Sequence, residues 1–208
     1  MSYYESEAVK DTEEMALKLL KEIDIECSAS NMHVKTDVDI TTAAGKKIDV
    51  QYSNNFAKYG DFRVDIISAY TPLYTKIDTS YTYNKNINII ENFKKKYNCK
   101  VIKEGKIYQK DYVDYLIVFF YDNKYKERVT EKILIIKIAE LHNYINNNAA
   151  ALFEQIKIND KNRYNLSDKH GSAFLPIDVC CLKKDCKCFF DTWEKLCKQK
   201  ENIKNYIY

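Results

Sequence analysis

Two apolar runs separated by a charged stretch set the first limit on what this chain can fold into. Tyr112–Tyr121, YVDYLIVFFY, is followed by DNKYKERVTEK and then by a second run, Ile133–Ile138. Short segments this rich in Ile, Val, Leu, Phe and Tyr read as buried strands. The second run leads into a helix expected over Ala139–Asn147. Buried strands joined to helices point to an α/β domain with a covered central sheet.

The rest of the chain supplies elements for such a sheet. Glu5–Ile23 reads as an amphipathic helix, with Val9, Ala16, Leu20 and Ile23 near a period of 3.6 and Met15 and Leu19 widening the stripe. Glu13 falls on or beside that stripe. Residues 25–33 read as loop or an irregular edge. Strands are expected over Val34–Ile40, Lys47–Ser53 and Phe62–Ser68. Pro72–Lys85 reads as irregular, Asn88–Tyr97 as a short basic helix, and Val101–Tyr108 as a hairpin about Gly105. A last strand is expected over Ser172–Cys181, and a short basic helix over Thr192–Lys200. The order fits one domain over residues 1–208, with a core at about 5–147 and a cysteine-containing extension at about 148–208.

Bulk properties exclude little. The 33 Lys and Arg against 30 Asp and Glu leave a formal charge of +3, which fits a solvated surface as well as an anionic partner. MSYYESEAVKDTEEM lacks the basic and apolar regions of an export signal, and no apolar run approaches the ~20 residues of a membrane span. The expectation is a cytoplasmic chain without membrane contact, its seven cysteines reduced.

Chemistry concentrates in Thr36–Tyr70. Two short strands joined by a Gly-containing turn carry Asp37 and Asp39 on one side and Asp49 and Gln51 on the other. Residues two apart on a strand share a face, so Asp49 projects with Gln51, and Asp37 with Asp39. Acids gathered on neighbouring strands repel one another and lose hydration unless a cation compensates them. Mg²⁺ accepts such a set, one or two carboxylates with waters completing the shell. The same residues also fit solvated strand ends and turns, where Asp is common.

In these residues the chain resembles the PD-(D/E)XK nuclease superfamily, the restriction-endonuclease-like fold. There a helix bearing a Glu precedes a hairpin bearing an Asp, and the next strand carries an acid, one residue, then Lys. The resemblance spans roughly residues 8–70, with support to 138. It implies Asp39, or Asp37 in its place, as the first acid, Asp49-Val50-Gln51 as the second element, and Glu13 as the helical acid. No proline precedes the first Asp, and Gln51 stands where the lysine would be; some members carry Gln there and remain active. Lys46, Lys47 or Lys58 could take over the lysine's role.

The resemblance implies a Mg²⁺- or Mn²⁺-dependent nuclease, with DNA as the expected substrate. Asp39 and Asp49 would be the ligands, with Glu13 a further ligand or an acid supporting them; Gln51 would orient the attacking water and Lys58 would hold the phosphate. Double-strand cleavage would favour a homodimer. The absent lysine keeps open a non-catalytic nucleic-acid- or protein-binding module on the same fold, such as an inhibitor or accessory factor.

Three further groups have alternatives. Asn54, Asn55, Lys58, Tyr59 and Arg63 suit phosphate and sugar contacts, while Arg63 equally suits an ion pair with Asp61 or Asp65. Lys94–Lys96 with Lys85, Lys100 and nearby tyrosines suits a nucleic-acid backbone or a solvated helix face. Cys181, Cys186 and Cys188 with His170 lack the paired spacing of a structural Zn²⁺ site, and read as reduced, partly buried thiols. His142 reads as a capping or surface histidine.

Overall fold

The computed structural model describes residues 7–29, 38–53, 60–72, 77–109, 112–122, 129–159 and 171–208. Where the sequence suggests one domain, the contacts fall into two compact units interleaved along the chain. The first comprises Met1–Asp61, Asp111–Leu141 and Val179–Tyr208, and the second Phe62–Lys110 and His142–Asp178.

The first unit is a mixed sheet with helices. Helix α1, Glu7–Glu22, leads into strands β1, Cys27–Ala29, β2, Ile40–Thr42, and β3, Lys47–Ser53. These pair antiparallel in sequence order, Ile40 opposite Ile48 and Thr41 opposite Lys47. The Gly-containing turn is as expected. The Gly45 N–H reaches the Thr42 carbonyl at 2.9 Å, and Gly45 takes φ 75°, a left-handed conformation that glycine adopts without cost.

The two apolar runs become β6, Tyr115–Asp122, and β7, Val129–Lys137, an antiparallel pair in the sheet's interior. Strand β3 lies parallel to β6, Asp49 beside Leu116 and Gln51 beside Val118. The sixth strand, β10, Cys188–Asp191, pairs with β7, giving the order β1-β2-β3-β6-β7-β10. Strand β7 continues into helix α3, Ile138–Asn147, as expected.

One face of this sheet buries Ile40, Ile48, Ile117, Phe119, Ile133 and Ile135 against Ala16, Leu19, Leu20 and Ile23 of α1. It also buries them against α6, Trp193–Lys198, and α7, Lys200–Ile207, through Leu196, Ile203 and Ile207. At ~25 cal/mol per Å² of apolar surface, such a cluster supplies most of the unit's driving force. Polar atoms that reach it are paired. Tyr115 donates to the carbonyls of Tyr206 and Ile207, and the Thr12 and Tyr121 hydroxyls meet at 3.1 Å.

The second unit holds a four-stranded sheet, two of whose strands lie where strands are expected, at Phe62–Ser68 and from Ser172. Its strands are β4, Asp61–Pro72, β5, Cys99–Glu104, β8, Lys157–Asn159, and β9, Gly171–Asp178, in the order β5-β4-β9-β8. Helices α2, Ile89–Tyr97, and α4, Ala149–Glu154, accompany it. Several expectations change in the described residues, among them the strand expected to end at Ile40, which begins there. Gly105 does not turn a hairpin: its N–H bonds the Ile66 carbonyl at 2.9 Å, and a 3₁₀ turn, Lys106–Tyr108, follows. The last strand stops at Asp178, and Cys180 and Cys181 lie exposed on helix α5, Val179–Asp185. His142 neither caps nor sits free on the surface, since its ring stacks on Tyr108 at 5.0 Å. No helix among the described residues is long and apolar enough to cross a membrane.

Candidate acidic site on the β2–β3 hairpin

The site grows from alternation along β3. Ile48 faces the core shared with α1, so Asp49 and Gln51, with Lys47 before them, project from the opposite face. Asp49 is 1% exposed. A carboxylate so withdrawn from water needs hydrogen-bond donors, and the Gln51 amide supplies one, Nε2 to Oδ2 at 2.8 Å.

Continuing the β2–β3 register by one residue sets Asp39 opposite Asp49. Asp39 precedes β2, where the ladder has ended, and its Oδ2 accepts the Val50 backbone N–H at 2.6 Å. A side chain thus closes the hairpin where the strands part, and it holds the first acid beside the second. At the other end of β3 the Asp114 carboxylate accepts the Lys47 N–H at 2.8 Å and secures the start of the strand.

Of the expected site residues, Asp39, Asp49 and Gln51 come together. Glu13 lies on α1, half-buried, on a helix that packs against the sheet face opposite Asp49 and Gln51. Asp37 and Lys58 lie outside the described residues, as do Asn54, Asn55, Tyr59 and His170. Among the lysines that could replace the one missing from the motif, Lys47 is on β3 and shares the face of Asp49; Lys46 is in the turn before it.

Two carboxylates and an amide are hard oxygen donors of the kind Mg²⁺ and Mn²⁺ take. Among the described residues no group of three or more His, Cys, Asp or Glu side chains is placed to hold a metal ion. Among the described residues, Asp39 and Asp49 are the carboxylates that could hold a divalent ion at this hairpin, with water for the remainder. The pair fits that role, since Mg²⁺ usually takes only one or two protein carboxylates.

The remaining groups separate on contact. The Arg63 guanidinium lies over the Phe174 ring at 4.6 Å. In the basic helix, Lys94 pairs with Glu91, and Lys96 pairs with Glu154 at 3.3 Å. The cysteines are free thiols. Burial pushes the Cys188 thiol up to about 11 and raises Cys186, whose Sγ donates to the Glu140 carbonyl at 3.5 Å.

Sequence reasoning did not separate Lys95 from its neighbours. Glu91 stands three residues before Lys94 and four before Lys95, so spacing allows either pair, and the structure shows Lys94 taking it.

The chain matches no family model, no curated protein and no solved structure.

Proposed function

We propose that the chain is a divalent-metal-dependent nuclease on a restriction-endonuclease-like core, cleaving phosphodiester bonds, with DNA the expected substrate. What supports this reading is one arrangement: a buried Asp49, hydrogen-bonded by Gln51, with Asp39 held opposite it across the β2–β3 hairpin. The order of elements agrees with it, a helix, a hairpin bearing an acid, then a strand bearing acid-x-Gln and running parallel to an interior apolar strand.

A divalent ion bound there would polarise the phosphate and lower the pKa of an attacking water. Asp39 and Asp49 bind and orient. Their backbone and amide hydrogen bonds fix the carboxylates before substrate arrives, so little reorganisation is left for the reaction. Gln51 spends its N–H on Asp49 and keeps its carbonyl oxygen as an acceptor, the polarity needed to align a water. Lys47, from the same face, supplies positive charge toward the phosphate.

One observation favours the second reading, a non-catalytic nucleic-acid- or protein-binding module. Gln51 cannot provide the cation that a lysine would. Incubating plasmid, linear duplex, single-stranded DNA and RNA with Mg²⁺, Mn²⁺ or EDTA separates the readings. The nuclease predicts cleavage that requires metal; the module predicts intact substrate under every condition.

A further inference from the structure

Inside the second unit, the segment Ser80–Asn86 and Lys95 of helix α2 line a shallow, open cavity of about 650 Å³. That lies within the ~300–1,000 Å³ range of ligand pockets. It is lined by Ser80, Thr82, Asn84 and Asn86, by Tyr81 and Tyr83, and by Lys85 and Lys95. Among the described residues no acidic side chain lines it.

Buried Asn92 builds the wall. Its Oδ1 accepts the Tyr81 hydroxyl at 2.9 Å and the Asn84 N–H at 2.7 Å, and its Nδ2 donates to the carbonyls of Asn84, Ile87 and Asn88. Five hydrogen bonds from one side chain fix a segment that carries no regular structure. Tyr83 packs on Phe153 at 5.3 Å, so the tyrosines form the floor. Asp78, the nearest acid along the segment, is held by the Ser80 N–H and hydroxyl.

Of the lysines on this segment and helix α2, two have no acid partner among the described residues. Lys94 and Lys96 are paired with acids, and Lys195, Lys198 and Lys200 on α6 and α7 likewise pair with Asp191, Glu194 and Asp24. Lys85 and Lys95 have no ion-pair partner among the described residues, and both are exposed in the cavity. Two uncompensated ammonium groups among hydroxyl and amide donors suit an anion with several acceptor oxygens.

We propose that this cavity binds the phosphodiester backbone of a nucleic-acid strand, with Lys85 and Lys95 each contacting a phosphate. The inference takes its ligand class from the nuclease reading, and its test is kept separate from cleavage.

The test is fluorescence anisotropy of labelled single-stranded DNA and RNA oligonucleotides with the full chain in EDTA, across a salt series. Lys85→Glu/Lys95→Glu should weaken binding at least tenfold. It should flatten the log–log salt slope by roughly 1.4, about 0.7 for each phosphate contact on a single strand. Lys195→Glu/Lys198→Glu, with the same change in net charge, should lose far less. DNA and RNA arms show which strand is preferred. No binding by the wild type, an unchanged affinity in the cavity variant, or an equal loss in the control would overturn the proposal. Cleavage by the wild type in Mg²⁺ reports on the acidic site whichever way binding falls.

Discussion

Gln51 donates its side-chain amide to the buried carboxylate of Asp49, at 2.8 Å, from two residues along the same strand. Gln51 is thereby tied to the acid it accompanies. Replacing Gln51 with Leu keeps the strand's shape and removes the donor. Leaving a buried charge short of one hydrogen bond costs about 1.5–3 kcal/mol. Urea unfolding should show that loss; a midpoint within error of wild type would mean Asp49 is satisfied by other donors.

Asp39 does two things that substitution can separate. Its carboxylate accepts the Val50 N–H, and on the nuclease reading its charge binds metal. Asn at this position keeps an acceptor oxygen and loses the charge. Asp39→Asn should leave unfolding within about 0.5 kcal/mol of wild type, while Asp39→Ala should cost about 1–3 kcal/mol. Both should lower metal-dependent cleavage on the order of 100-fold. Full activity in Asp39→Asn with normal stability would confine Asp39 to closing the hairpin.

Gly105 is required by proximity rather than by φ. A Cβ there would run into the Asp65 carbonyl on β4, to which Gly105 is already joined through the Ile66 carbonyl. Gly105→Ala should destabilise the second unit by about 1–3 kcal/mol, as overpacked positions do. Hydrogen exchange should locate the loss in β4 and β5; uniform protection would contradict the close approach.

His142 gives the second unit a pH dependence. Burial pulls its pKa below the ordinary 6.5, against a smaller opposing effect from a hydrogen bond with the Ile107 backbone, and its Nε2 is buried against Tyr108. The folded state therefore binds fewer protons than the unfolded one. Its contribution is complete above about pH 6.5 and is lost as the pH falls toward the lowered folded value. His142→Phe preserves the stack and should unfold with a shallower loss of stability between about pH 7 and 5. Identical slopes for variant and wild type would remove His142 from the account.

Much of the first unit was legible because its signals are local. The α1 stripe, the Gly45 turn and the two apolar runs each specify an element within a few residues, and β6 and β7 pair across a short connection. The pairing of the second sheet was not legible, because strands expected one by one come from distant parts of the chain; β4 ends at Pro72 and β9 begins at Gly171. SAFLPIDVCC alternates buried and half-buried through Ile177, which reads as a strand, and nothing local marks the switch to helix at Val179. Gly105 misled because the sequence does not distinguish a glycine that turns from one that lets two backbones touch. In the site, alternation was enough to place Asp49 with Gln51. The Asp39–Val50 hydrogen bond depends on where β2 stops, which only the pairing reveals.

The central claim is that Asp49 holds a metal for phosphodiester cleavage. The most direct measurement compares wild type with Asp49→Asn, which keeps the side chain's volume, in single-turnover cleavage of plasmid and single-stranded DNA with Mg²⁺ or Mn²⁺ and in EDTA. Matched circular dichroism confirms that both are folded. The account predicts cleavage by wild type with metal, none in EDTA, and a loss on the order of 100-fold or more in Asp49→Asn. Cleavage at wild-type rate by folded Asp49→Asn, or no cleavage by folded wild type with either metal, would contradict it.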